Sequence, residues 1–184
     1  MRKIRLPYTV GYGMTECAPL IGYSPWESFR LGSCGRAVDN VVVRIDSEDP
    51  ENKVGDIQVH GYNVMQGYFK NPEATAATFT EDGYLRTGDL GIIDRNGNIF
   101  IKGRSKCMIL SPNGQNIYPE EIEAAVNNQP YVIESVVVDR GARLVALVYA
   151  DCEKMKAEGV ETEEFKTAVM TEVNKSMPAY SKIN

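Results

Sequence analysis

Residues 11–16 read Gly-Tyr-Gly-Met-Thr-Glu, and they gather the groups that a nucleotide site needs. Tyr12 offers an aromatic face on which a purine base can stack. Gly11 and Gly13 let a backbone come close to a ligand. Thr15 can donate a hydrogen bond to a phosphate oxygen. Glu16 can ligate Mg²⁺, a hard ion that prefers carboxylate and phosphate oxygens. Taken alone, the hexapeptide reads equally well as a tight turn that holds no ligand.

Later segments add chemistry of the same kind. Residues 87–91 read Thr-Gly-Asp-Leu-Gly, residues 103–106 Gly-Arg-Ser-Lys, and residues 114–121 Gly-Gln-Asn-Ile-Tyr-Pro-Glu-Glu. A carboxylate beside a glycine, as at Asp89, can accept both hydroxyls of a ribose, although a turn aspartate capping local N–H groups is the commoner use. Arg104 can donate a forked pair of bonds to ribose or phosphate oxygens, or make a surface ion pair. Lys106 by itself reads as an exposed lysine after a strand. Residues 111–116 have the composition of a connecting loop.

The order and spacing of these four segments resemble the adenylate-forming superfamily: acyl-CoA synthetases, firefly luciferase and peptide-synthetase adenylation domains. The wording of residues 111–121 is most similar to long-chain fatty acyl-CoA ligases. The resemblance runs from about Tyr8 to the last residue. It implies an α+β fold. Residues 1–104 would be the β-rich end of a large N-terminal AMP-binding domain. Residues 105–184 would be a small, mobile α+β C-terminal domain. It implies ATP and AMP, Mg²⁺ and CoA as ligands, with a fatty acid as the second substrate. Tyr12 would stack adenine, Thr15 hold phosphate and Glu16 bind the metal. Asp89 and Arg104 would hold the ribose, Lys106 would be the hinge, and Gly114 would let the pantetheine arm of CoA approach. Residues 17–19, Cys-Ala-Pro, would pass near the acyl group.

The reaction implied is carboxylate plus ATP to acyl-adenylate and pyrophosphate, then thioester and AMP with CoA. Two alternatives share part of the evidence: an adenylation domain that loads a carrier protein, and a non-catalytic nucleotide-binding or interaction module.

Composition narrows the field. A net charge of −5 argues against nucleic acid as a primary partner. Cys17, Cys34, Cys107 and Cys152 form no Cys-x-x-Cys pair and there is a single histidine, His60, so no zinc-type cluster is expected. The cysteines read as reduced, buried thiols. No apolar run reaches the ~20 residues that span a bilayer, and no apolar core follows the charged residues 1–5, so a cytoplasmic location is expected. Fatty acyl substrates would nevertheless make a membrane surface a reasonable neighbour.

The elements that must carry these residues are legible in part. Residues 40–45 are rich in β-branched side chains and residues 55–61 alternate, so both read as strands. Asn71-Pro72-Glu73 opens a short helix to about Phe79. Residues 84–103 read as strand, turn and strand, with Asn96-Gly97 suited to positive φ. Pro119 starts a helix over residues 119–128, with Ile122, Ala125 and Val126 on one face. Residues 132–138 and 144–150 read as a hairpin turning near Gly141. Residues 161–175 form an amphipathic helix through Phe165, Val169 and Val173, which Pro178 ends. The second half thus reads as a βαββα-like unit. His60 reads as half-buried, and Glu120, Glu121 and Glu123 as favourable charges at a helix N-terminus.

The superfamily's Gly-rich phosphate loop and its Pro-Lys-Thr-x-x-Gly-Lys segment have no counterpart here, and Lys182 is not assigned the catalytic role. The chain is therefore expected to be inactive alone; thioester formed from it with ATP, CoA and palmitate would contradict this. Apolar surface left unpacked in residues 1–80 is expected to drive self-association. Light scattering should return a mass above the monomer at high concentration, and a monomer mass there would refute it.

Overall fold

The computed structural model describes residues 7–141 and 143–184, so the charged stretch at residues 1–5 lies outside the described residues. The chain divides into two compact units, Met1–Ser105 and Lys106–Asn184. The architecture is α+β, with antiparallel strand ladders and, among the described residues, one α-helix in the first unit and three in the second.

The first unit begins with a three-stranded sheet of β1 (Val10–Gly13), β2 (Leu20–Ser24) and β3 (Arg36–Ala37). Half of β1 is glycine, which hides it from a propensity reading. What fixes it is pairing: Val10 to Tyr12 lie opposite Ser24 to Gly22, and a bulge at Gly13 ends the regular register. The Gly13 glycine is demanded by its own chain. A Cβ there would stand 2.1 Å from the Pro19 carbonyl oxygen, which also accepts the Met14 N–H at 2.8 Å.

Four further strands form a meander: β4 (Val41–Asp46), β5 (Gly55–Gly61), β6 (Leu85–Ile93) and β7 (Ile99–Arg104). The β4–β5 ladder runs unbroken from Val41↔Gly61 to Asp46↔Asp56. Between β5 and β6 sits α1 (Pro72–Thr78), whose N-cap Asn71 accepts the Ala74 N–H at 3.0 Å, with Pro72 in the first turn. The β6–β7 turn spans residues 94–98. Asp94 N–H bonds to the Asn98 carbonyl at 3.0 Å, and only Gly97 takes positive φ (80°). The Asp94 carboxylate supplies the rest, accepting the Asn96 and Asn98 amides at 2.9 Å. Ile21, Ile57, Val59, Leu85 and Ile99 are fully buried in the shared core of the two sheets.

The second unit contains the hairpin β8 (Ile109–Leu110) and β9 (Asn116–Ile117), then α2 (Pro119–Asn127), β10 (Val132–Asp139), β11 (Leu144–Ala150), α3 (Cys152–Ala157) and α4 (Thr162–Ser176). The β8–β9 hairpin and α3 extend the expected βαββα order. The α3 helix is too short to show periodicity, but Asp151 caps it by accepting the Lys154 N–H at 3.0 Å. Ile122, Val126, Phe165, Val169 and Val173 all enter one core. Glu120 and Glu121 lie in the first turn of α2, where negative charge is favourable. Glu123 does something else: its carboxylate accepts the Val137 N–H at 2.8 Å and ties α2 to β10.

Two expectations about single residues are corrected. His60 is exposed, its ring 5.3 Å from that of Tyr84, because it takes the outward-facing position after buried Val59. Cys17 and Cys34 are buried thiols, and burial pushes Cys17 up to about 11, but Cys107 and Cys152 are exposed.

Replacing Gly13 with alanine should force β1 away from the Pro19 carbonyl and cost roughly 1–3 kcal/mol, the usual scale of an overpacked contact. Trp26, the only tryptophan, lies in the same unit and reports urea unfolding by its fluorescence. An unchanged midpoint in Gly13→Ala would refute the steric account.

Candidate functional site

The first unit brings three of the residues singled out by sequence into one cluster. Asp89 lies on β6 and Arg104 directly opposite on β7. The Arg104 Nε stands 2.9 Å from Asp89 Oδ1. From β1, the Tyr12 hydroxyl donates to Asp89 Oδ2 at 2.8 Å across 77 positions of sequence. The Asp89 side chain is only 9% exposed, whereas that of Arg104 is 61% exposed.

A bulge aims the carboxylate. Between the pairs Asp56↔Leu90 and Gln58↔Arg86, only Ile57 of β5 faces Thr87, Gly88 and Asp89 of β6. Gly88 absorbs the distortion with φ 73°, a left-handed conformation that costs glycine little. Thr87 braces it, its hydroxyl donating to the Ile57 carbonyl at 2.8 Å and accepting the Asp89 N–H at 3.1 Å. Asp89 is thus a strand residue held by a bulge, and not a turn aspartate.

The electrostatics follow from burial. A buried carboxylate is costly unless paired, and here each oxygen has a charged or hydroxyl partner. Burial pushes the Tyr12 phenol far above its ordinary range; the Thr87 hydroxyl opposes this and the Asp89 charge adds to it. Tyr12 therefore stays a donor at any physiological pH. Each carboxylate oxygen has two lone-pair sites, so both retain capacity to accept a ligand hydroxyl.

This geometry revises the reading of β1. Tyr12 keeps 6% of its surface exposed and packs in the core, so it offers almost no open face for a base. Its observed work is to hold Asp89. The close approach allowed by Gly13 is to the Pro19 carbonyl and not to a ligand, as the steric argument above requires. Gly11 is exposed, and a Cβ there would meet Leu20 Cδ1 at an ordinary 3.4 Å, so no close approach demands its glycine either.

Thr15 and Glu16 sit just after β1 in a single 3₁₀ turn, Thr15–Cys17, closed by Ala18 at φ 52°. Thr15 is exposed and Glu16 half-buried. Glu16 Oε1 accepts the Tyr68 hydroxyl at 2.9 Å, and that bond pushes the Tyr68 phenol above its ordinary range. Among the described residues, no group of three or more His, Cys, Asp and Glu is placed to hold a metal ion. One carboxylate still fits Mg²⁺, which usually takes one or two protein carboxylates and completes its shell with phosphate oxygens and water.

In the second unit, Gly114 has φ 77° in the turn of the β8–β9 hairpin, and a Cβ would meet nothing within 4 Å. Its N–H donates to the Ser111 carbonyl at 2.9 Å, and the Ser111 hydroxyl accepts the Gln115 N–H at 2.9 Å. Lys106 is exposed, in the turn at residues 105–107, and is the first residue of this unit. Sequence reasoning missed Thr87, Tyr68 and Asn63, the last of which donates to the Cys17 carbonyl at 3.0 Å. No local pattern marks them; their partners lie 30 to 52 positions away.

Known proteins match along the whole chain. A model of AMP-binding enzymes matches residues 2–69, and one of the AMP-binding enzyme C-terminal domain matches residues 107–184. Asp89 and Arg104 fall between the two spans. The long-chain-fatty-acid–CoA ligase of Escherichia coli O6:H1 is 39% identical over 133 residues, covering 70% of this chain and 23% of the relative. 4-Coumarate–CoA ligase 4 of Arabidopsis thaliana is 33% identical over 197 residues, covering 98% of this chain and 33% of the relative. Among solved structures, O-succinylbenzoate coenzyme A synthetase of Bacillus subtilis, in complex with ATP and magnesium ion, superposes with a TM-score of 0.82 at 28% identity. That match covers 99% of this chain and 38% of the other. The chain spans about a quarter to a third of the length of the relatives it matches. With motifs, fold and both family matches in agreement, the chain belongs to the AMP-binding enzymes of the adenylate-forming superfamily.

Proposed function

We propose that this chain is the ribose-holding and metal-holding part of an ATP-dependent acid–thiol ligase, together with the C-terminal domain that follows it. The reaction would join a carboxylic acid to AMP with loss of pyrophosphate, and then pass the acyl group to the thiol of CoA with release of AMP. The observation that carries this reading is the Tyr12–Asp89–Arg104 cluster, a buried carboxylate beside a half-exposed guanidinium.

In this reading Asp89 accepts the two ribose hydroxyls. Tyr12 holds Asp89 in place and Arg104 donates to the ribose from the exposed side. Thr15 donates to the phosphate. Glu16 is the residue that would hold Mg²⁺, whose positive charge offsets charge on the phosphates during adenylation. Gly114 borders the path of the thiol arm, and Lys106 is the hinge that lets one site serve two half-reactions.

Domains of residues 1–104 and 105–184 accord with the exposed turn at Lys106. A long-chain fatty acid is the acid we favour, on the wording of residues 111–121 and on one relative. A cytoplasmic setting goes with it. Among the described residues no helix is long and apolar enough to cross a membrane. Exposed Leu31, Tyr62 and Phe69 support self-association of the first unit.

The test is calorimetric binding of AMP to the 184-residue chain. Hydrogen bonds to a charged group contribute roughly 1.5–3 kcal/mol, about ten- to a hundredfold in affinity. Asp89→Asn should lose that factor, 2′,3′-dideoxy-AMP should lose it on the unaltered chain, and the two losses should not add. Equal affinity for AMP and its dideoxy analogue would overturn the ribose role.

A further inference from the structure

The loop between β5 and α1 closes over the turn that carries Glu16, and it does so at four points. The Met65 N–H donates to the Glu16 carbonyl at 2.8 Å. The Asn63 Nδ2 donates to the carbonyls of Cys17 at 3.0 Å and Leu20 at 2.8 Å. The Tyr68 hydroxyl donates to Glu16 Oε1 at 2.9 Å. Three of these bonds fix backbone; only the Tyr68 bond fixes the carboxylate itself.

The loop is in turn anchored to α1. The Tyr68 N–H donates to the Thr75 hydroxyl at 2.9 Å, and that hydroxyl donates to the Asn71 carbonyl at 2.8 Å. Gly67 makes the approach, since a Cβ there would lie 2.8 Å from Thr75 Cγ2. A continuous chain of contacts therefore runs from the first turn of α1 through Tyr68 to one oxygen of Glu16. Tyr68 remains 39% exposed, so core packing does not account for its hydroxyl being aimed at a carboxylate.

We propose that Tyr68 is a positioning residue for the metal-binding carboxylate of Glu16, the working end of a clamp built by residues 61–69. This rests on the reading of Glu16 given above. A carboxylate with one oxygen held loses rotational freedom before it meets the metal, and its remaining acceptor capacity is presented in a fixed orientation. Partners that orient metal-ligating groups typically change metal affinity or activity ten- to a hundredfold when removed. The Asn63 and Met65 bonds set where the turn lies, while Tyr68 sets how the carboxylate faces.

The experiment is ATP binding to the full chain by calorimetry, with excess Mg²⁺ and again with EDTA. Tyr68→Phe keeps the ring and removes the hydroxyl. It should cut the affinity gained from Mg²⁺ by about tenfold and leave the affinity in EDTA unchanged. On a Glu16→Gln background the same change should have no further effect. Hydrogen exchange at the Cys17 and Met65 amides, read without nucleotide, should stay slow in Tyr68→Phe and quicken in Asn63→Ala. An undiminished Mg²⁺ gain in Tyr68→Phe overturns the proposal, as does an equal loss with Mg²⁺ and with EDTA, which is the signature of a merely structural role. Failure of the underlying reading looks different: the unaltered chain would then bind ATP no better with Mg²⁺ than without, and the proposal falls with it.

Discussion

A carboxylate buried between two sheets is the constraint on which the first unit depends. Asp89 is taken out of water, and the cost of doing so is offset only if its oxygens find partners of good geometry. Those partners come from both sheets: Tyr12 from β1 and Arg104 from β7. The three-stranded sheet must therefore lie where Tyr12 can reach Asp89, and the β6–β7 register must bring Arg104 opposite. Removing either partner leaves a buried charge partly unpaired, which costs more than the lost bond itself. In the proposed ligase, function and stability would be coupled at this residue.

The same sheets repair an interrupted ladder from within. The bulge at residues 87–89 interrupts the β5–β6 ladder, but Thr87 recovers the Ile57 carbonyl and the Asp89 amide that the interruption would orphan. The Asp89 oxygens, bonded to Arg104 and Tyr12, each keep a second lone pair. The turn at Thr15–Cys17 follows the same logic, its carbonyls taken up by Met65 and Asn63 and one Glu16 oxygen by Tyr68. In the proposed ligase both sites would thus be preorganised by bonds of the protein to itself, leaving little reordering for binding to drive.

Legibility in the sequence followed from range. The strand at 41–46 was readable from its run of β-branched residues, and the strand at 55–61 and the helix at 162–176 because burial imposes a local period on them: Ile57 and Val59 are inward on β5, and Phe165, Val169 and Val173 line one face of α4. β1 and β2 were not readable, because Gly13 and Gly22 are placed by close backbone packing against Pro19 and Arg36, a property of the fold and not of the residue's own preference. Asp89 and Arg104 were found through motif resemblance, but their pairing with each other and with Tyr12 depends on the meander's register and the bulge. The burial of Tyr12 was illegible for that reason: an aromatic on an unrecognised strand has no assigned face. Tyr68 and Glu16 are 52 positions apart, and only the folded β5–α1 loop makes them neighbours.

The division of the chain gives the hinge reading its physical basis. The bonds from Tyr12 and Arg104 to Asp89 and from Tyr68 to Glu16 are made within the first unit, and the second unit has its own core, from Ile117 through Val173 to Ile183. A body with its own core can rotate without unfolding. In the proposed ligase the residue that would absorb such a rotation is Lys106, exposed in the turn at residues 105–107. A change of φ/ψ there would, in the proposed ligase, leave both cores intact. The two half-reactions proposed above would then share the residues that hold the nucleotide.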